Sequence, residues 1–116
     1  MTVQSRKALN ALLSLVSSRV TVLGGGAANF QTQIVADGVA LLGITNQVGV
    51  TNHVVLTIPE DDSYGTAKLV WYDGGDCDVT IDIRMVGGWM DDVSDYAYHV
   101  TWALKLMFPG VIDAEE

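Results

Sequence analysis

Two histidines, one cysteine and several clustered aspartates are the residues of this chain that could do chemistry. His53 and His99 are the only histidines, and Cys77 is the only cysteine. Nucleophilic catalysis needs a nucleophile, a base and an orienting carboxylate within hydrogen-bond reach, and no motif in the sequence indicates such a set. A lone cysteine also has no partner for a zinc site or an internal disulfide. We therefore interpret both histidines as ordinary surface or partly buried residues, and we expect no enzyme.

Asp73, Asp76 and Asp78 surround a Gly-Gly pair and resemble a site for a hard cation, because Ca²⁺ prefers carboxylate oxygens. Their spacing matches no EF-hand loop, and solvated carboxylates in a turn are the commoner use of this pattern. The glycines at 24–26 are followed by Asn29, where a dinucleotide fingerprint requires a third glycine. We therefore expect neither a metal nor a cofactor.

Composition limits the partners of this chain. Its 116 residues predict one domain spanning 1–116. Six Lys and Arg stand against fourteen Asp and Glu, a net charge of −8 that disfavours nucleic acid and anionic membranes as partners. The apolar fraction is 49%, which is high for a small chain and indicates that part of the surface is hidden between subunits. No apolar run is long enough to span a membrane.

The chain divides into a helix, a series of short strands and a second helix. Leu9, Leu12, Leu13 and Val16 recur at helical spacing within residues 3–19, and Ser5 is the expected N-cap. Strands joined by short turns form an antiparallel meander, so we predict an α+β fold with a meander of five to six strands. The predicted strands are Val20–Leu23, Phe30–Ala36, Val39–Ile44, His53–Ile58, Thr66–Asp73 and Asp78–Val86.

The last two predicted strands carry enough pattern to fix their register. Placing both apolar sets on one face allows Trp71 to lie opposite Val79. The same register sets Lys68 opposite Asp82, and opposed charges across strands are favourable. The connecting loop would then be Asp73–Cys77.

The second helix, predicted over Val93–Phe108 with Asp91 or Asp92 as its cap, is apolar on two sides. Such a helix is covered on both sides, one by the sheet and the other by the first helix or by a second subunit. The first stripe is Val93, Ala97, Val100, Leu104 and Phe108, and the second is Tyr98, Trp102 and Leu106.

The sheet face opposite the core is predicted to be broad and polar. It is either solvated or laid against a polymer or a shell. Its residues would be Gln31, Gln33, His53, Thr57, Lys68, Tyr72, Asp78, Thr80, Asp82 and Arg84.

The order of these elements resembles the coat proteins of single-stranded RNA bacteriophages, and more broadly small virion proteins. In that family a five-stranded meander precedes C-terminal helices, two subunits join their sheets edge to edge, and each subunit's helices cover the partner's sheet. The dimers tile an icosahedral shell with the open sheet face toward RNA. Here the meander would be Phe30–Val86, although the family begins with a β-hairpin where this chain has a helix.

The resemblance implies a virion protein that forms a homodimer and then a shell. Tyr98, Trp102 and Leu106, with the first stripe of the last helix, would then pack between subunits. Lys68, Tyr72, Thr80 and Arg84 would face RNA, a partner that the net charge disfavours. Three alternatives stay open: an acidic inhibitor or immunity-type binding module, a cement or head protein of a tailed phage, and a small α+β enzyme or ligand carrier. Exposed carboxylates at 60–62, 73–78 and 91–95 motivate the binding module, because they would steer a basic partner.

Overall fold

The computed structural model describes residues 3–23, 29–46, 48–58, 66–73, 76–84, 89–90 and 92–114. The predicted α+β architecture, with a helix before and after an antiparallel meander, is confirmed. The elements are α1 (Val3–Arg19), β1 (Val20–Val22), β2 (Asn29–Ala36), β3 (Val39–Thr45), β4 (Thr51–Thr57), β5 (Thr66–Asp73), β6 (Asp76–Arg84), α2 (Val93–Met107) and β7 (Ile112–Ala114).

The main sheet has five strands in the order β2-β3-β4-β5-β6, each antiparallel to the next. β2 and β6 are therefore its two edge strands. The strand predicted at Val20–Leu23 is β1, but it pairs with β7 in a separate two-stranded ribbon. The sequence pattern did not indicate β7, because three residues after a helix are too few to show strand periodicity.

The predicted register between β5 and β6 is confirmed, with Trp71 opposite Val79 and Lys68 opposite Asp82. The predicted loop over Asp73–Cys77 is wrong. The register shifts between Trp71 and Tyr72, so that Tyr72 pairs with Cys77 and the strands continue beyond the expected turn. A β-bulge of this kind places an extra residue on one strand, which an alternation rule cannot include.

Both helices contribute to one core on one face of the sheet. Residues of β3 alternate between buried and half-buried, which is the pattern of a sheet covered on one face only. Leu42, Leu56 and Leu69 from the central strands are fully buried together with Leu12 of α1 and Leu104 of α2. Burying each such side chain contributes roughly 1.5–3 kcal/mol, so this layer of apolar contacts holds the fold together.

The first helix has the predicted bounds and the predicted buried stripe. Ser5 is not its N-cap, because α1 begins at Val3 and Ser5 is buried within the first turn. At the other end, the Arg19 guanidinium donates hydrogen bonds to the Ser94 carbonyl oxygen at 3.0 Å and to Ser94 Oγ at 3.2 Å. The end of α1 is thereby tied to the beginning of α2.

The second helix begins and ends where its capping residues predict. The carboxylate of Asp92 accepts a hydrogen bond from the Asp95 backbone N–H at 3.3 Å, which satisfies a donor that the helix itself leaves free. Phe108 is the C-cap, and its backbone N–H donates to the Leu104 carbonyl oxygen at 3.0 Å. Gly110 then adopts a φ of 79°, a left-handed conformation that favours glycine and turns the chain into β7.

Candidate functional site

The first apolar stripe of α2 lies in the core of its own chain. Ala97, Val100 and Leu104 are fully buried, and Val93 is partly buried against the same core. Phe108 packs its ring 4.8 Å from the ring of Trp71 on β5, measured between centroids. One side of α2 was predicted to cover the sheet, and this stripe lies over the sheet of its own chain.

Within the described chain, the second apolar stripe of α2 is only partly covered. Tyr98 is 38% exposed and Leu106 is 71% exposed, while Trp102 between them is half-buried. The first helix contacts α2 but does not cover this stripe. The single chain therefore exposes a strip of aromatic and aliphatic side chains on α2. A helix that is apolar on two sides normally has both sides covered.

This second stripe borders the edge strand β6. A groove of about 270 Å³ runs between the strand and the helix, lined by Ile81, Asp82, Ile83, His99, Trp102, Ala103 and Leu106. We call the combination of Ile81, Ile83, Tyr98, Trp102 and Leu106 the β6–α2 surface. It joins an unpaired strand edge to exposed apolar side chains, the two features that most favour association with another chain.

Polar groups frame the β6–α2 surface. His99 Nε2 lies 3.6 Å from a carboxylate oxygen of Asp95. Lys105 Nζ lies 3.5 Å from Asp113 Oδ1 and 4.6 Å from the centre of the Trp102 ring. These groups are partly exposed, so each ion pair contributes little to stability. An apolar centre with a charged rim is the usual anatomy of a protein–protein interface.

The open face of the sheet carries the polar residues that the sequence predicted. Gln31, Gln33, His53, Thr57 and Thr80 are exposed there. Lys68 is exposed too, and its partners on the neighbouring strands are Thr57 of β4 and Asp82 of β6. The strand positions of Tyr72 and Arg84 are described, but their side chains lie outside the described residues.

An apolar row across this face was not predicted. Leu41, Val55 and Val70 are direct neighbours on β3, β4 and β5, and all three are half-buried. The unbroken apolar runs in the sequences of β3 and β4 could have predicted this row, because such runs place apolar side chains on both faces of a sheet. The row makes the open face less suited to a purely ionic partner than its polar residues suggested.

A shallow hollow of about 330 Å³ lies at one end of this face. Gln31, Gln33, Leu41, Gly43 and His53 line it together with Thr32. A β-carbon added at Gly43 would sit 3.8 Å from the His53 ring, so the hollow owes its depth to this glycine. Among the described residues that line it, His53 is the one titratable group.

The described ranges contain neither a cluster of metal ligands nor a helix that could span a membrane. No group of three or more His, Cys, Asp or Glu residues lies close enough there to hold a metal ion. The side chains of Asp73, Asp76 and Asp78, which resemble a cation site in sequence, lie outside the described residues. No helix of the described chain is both long and apolar enough to cross a membrane.

Comparison of the chain with protein families, with curated proteins and with solved structures finds no match.

Proposed function

We propose that this protein is a self-assembling structural subunit of the virion coat class, and that two copies first join through the β6–α2 surface. The observation that carries the proposal is the pairing of an edge strand with an apolar stripe on α2 that the described chain only partly covers. A second copy would bury Leu106 and Tyr98 of both chains at once, and fully burying one large apolar side chain contributes roughly 1.5–3 kcal/mol. The order of elements supports the coat class.

A two-fold contact also suits the residues of β6. If two β6 strands pair antiparallel about Ile81, Asp82 of each chain lies opposite Thr80 of the other. Pairing about Asp82 itself would instead set two carboxylates directly opposite each other, which is unfavourable. The register centred on Ile81 therefore avoids repulsion and places the two α2 stripes on the same side of the joined sheet.

The proposed contact does not require helix exchange. In the resembling family the helices cover the partner's sheet, whereas here α2 packs on its own sheet through Phe108 and Trp71. An exchanged α2 would have to leave the core that it completes. We therefore assign the contact to the outer stripe of α2. RNA stays a proposed partner, and the proposed assembly does not depend on it.

Light scattering after size-exclusion chromatography, with electron microscopy of the same fractions, tests this proposal. We expect dimers and larger closed particles for the natural sequence. Leu106→Glu should shift the protein to smaller species, because it places two carboxylates within the buried centre of the contact. Val48→Glu is the matched control: Val48 is 75% exposed in the turn between β3 and β4, and the substitution makes the same change in charge.

Three outcomes would contradict the proposal. The first is a monomer at all protein concentrations. The second is an equal effect of both glutamate variants, which would show that charge alone controls association. The third is a monomer that captures a basic protein with an affinity that falls as salt rises, which would favour the acidic binding module.

A further inference from the structure

The opposite edge strand, β2, lacks the features that normally protect a strand edge. Its eight residues, Asn29–Ala36, include no charged residue and no proline. Its register irregularity lies near its end, between Ile34 and Ala36, so the rest of the strand is regular. Unprotected edges pair readily with other strands, so β2 is a second edge of the sheet that is open to pairing.

The first helix does not cover this edge. A groove of about 510 Å³ lies between α1 and β2, lined by Asn10, Leu13, Ser14, Ser17, Ser18, Thr32, Gln33 and Ile34. None of these described residues carries a charge. Phe30, Thr32 and Ile34 face the helix layer along β2 and are only half-buried. We call β2 and the groove-lining residues of α1 the β2–α1 surface.

We propose that the β2–α1 surface binds a second copy of itself, with two β2 strands antiparallel about a two-fold axis at Thr32. In this register Phe30 of each chain lies opposite Ile34 of the other, on the helix side of the joined sheet. Gln31 of each chain lies opposite Gln33 of the other on the open side. An aromatic side chain beside a β-branched one, and an amide beside an amide, are favourable cross-strand pairs.

The neighbouring registers match less well. Centring the pair on Gln31 sets Phe30 opposite Thr32, and centring it on Gln33 sets Gln31 opposite Val35. A shift by a single residue would set helix-side residues opposite open-side residues. Only the register centred on Thr32 pairs apolar with apolar and amide with amide side chains from Phe30 to Ile34.

The two α1 helices would meet above this junction. Asn10, Ser14 and Ser17 recur at helical spacing on the exposed side that faces the groove. Small uncharged side chains allow that approach without burying an unpaired charge.

This contact is independent of the β6–α2 surface and goes beyond the proposed dimer. The two surfaces occupy opposite edges of one sheet, so a chain that used both would contact two neighbours. An assembly larger than a dimer needs at least two contacts per subunit. The β2–α1 contact supplies the second one.

A disulfide at the two-fold axis tests the register. In a Cys77→Ser background, Thr32→Cys should form a covalent dimer on mild oxidation, because residues directly opposite in antiparallel strands have Cα atoms roughly 4.5–5.5 Å apart. That separation lies within the range a disulfide accepts. The matched control is Asn29→Cys on the same strand, whose two copies would lie about 20 Å apart. Absence of a covalent dimer for Thr32→Cys, or equal yields for both variants, would overturn the proposal.

A pair of double variants tests the same contact without a covalent bond. Both are made in a Leu106→Glu background, which removes the β6–α2 contact and separates the two hypotheses. Gln31→Glu with Gln33→Lys should retain the dimer, because each Glu then faces a Lys of the other chain. Gln31→Lys with Gln33→Lys should weaken dimerisation roughly 2- to 30-fold, because like charges then oppose each other twice.

Sedimentation velocity measures these affinities, and circular dichroism checks that each variant is folded. Gln31 and Gln33 are exposed and pair with uncharged Gly43 and Leu41 on β3, so the single chain should accept both double variants. Equal dimerisation of the two double variants would overturn the register. A Leu106→Glu protein that is monomeric at every concentration would overturn the contact itself.

Discussion

Phe108 is the side chain on which the position of α2 over its own sheet depends most directly. It is 5% exposed and its ring lies 4.8 Å from that of Trp71, with an interplanar angle of 60°. Removing a buried phenylalanine costs the transfer free energy of its ring and leaves a cavity. We expect Phe108→Ala to lower the free energy of unfolding by about 3–5 kcal/mol. Of this loss, about 0.5–1.5 kcal/mol should come from the ring pair with Trp71.

A double-mutant cycle isolates the contribution of the ring pair. Urea unfolding followed by circular dichroism would compare the natural protein, Phe108→Ala, Trp71→Leu and the double variant. The coupling energy between the two substitutions should equal the contribution of the ring pair. Tyr98→Ala, compared with its parent in the Leu106→Glu background where the proposed contact is absent, is the matched control. Tyr98 is an aromatic residue of α2 that the core does not bury, so its loss there should cost about 1 kcal/mol or less.

Two results would refute this reasoning. One is a cost for Phe108→Ala no greater than that for Tyr98→Ala, which would show that Phe108 is not part of the core. The other is a coupling energy that grows with protein concentration. Contacts within one chain do not depend on concentration, whereas a helix seated on a partner's sheet would do so.

Three further predictions concern single positions. Asp92→Ala should lower the free energy of unfolding in urea by about 1 kcal/mol, because the variant loses the N-cap of α2. Asp113→Ala should lower it by less, because that variant loses only an exposed ion pair. Equal losses for the two variants would contradict the capping role. Gly43→Ala should stabilise the protein by roughly 0.5–1 kcal/mol, because the added β-carbon meets its neighbours at ordinary contact distances. Gly110→Ala should destabilise the protein, because φ at Gly110 is 79°. Thermal unfolding of both variants tests this, and a loss of stability for Gly43→Ala would show strain at that position. Burial raises the pKa of Tyr96 above its usual value of 10.0. The contribution of neutral Tyr96 to stability is therefore complete below that pH and is lost as pH rises through the folded-state pKa. Tyr96→Phe should flatten this alkaline fall in the urea midpoint, and an unchanged fall would show that other groups cause it.

Local patterns in the sequence determined most of the elements. The spacing of Leu9, Leu12 and Val16 was enough to predict α1, because the side chains that recur at helical spacing are the ones that the helix buries. The charges of Lys68 and Asp82, with the alternation around them, were enough for the register of β5 and β6. In both cases the information lies within a short stretch of chain.

The candidate site was only half predictable. The sequence showed that α2 has a second apolar stripe, with Tyr98 and Leu106 on it. It left open whether α1 or another subunit covers that stripe, because the direction in which two helices pack depends on residues far apart in the chain. The apolar row of Leu41, Val55 and Val70 was missed for the same reason, since the covered face of a sheet is decided by what packs on it.

What the sequence determined by itself is therefore most of the elements, the N-cap of α2 and the pairing of neighbouring strands, because these depend on contacts between nearby residues. The tertiary structure alone decided the β-bulge at Trp71, the pairing of β1 with β7 and the identity of the edge strands. It also decided that both helices lie over one face, which within the described chain leaves the outer stripe of α2 and the edge of β2 without a cover. Those outcomes depend on how distant segments share one core, and these two surfaces are where we propose that copies of the protein associate.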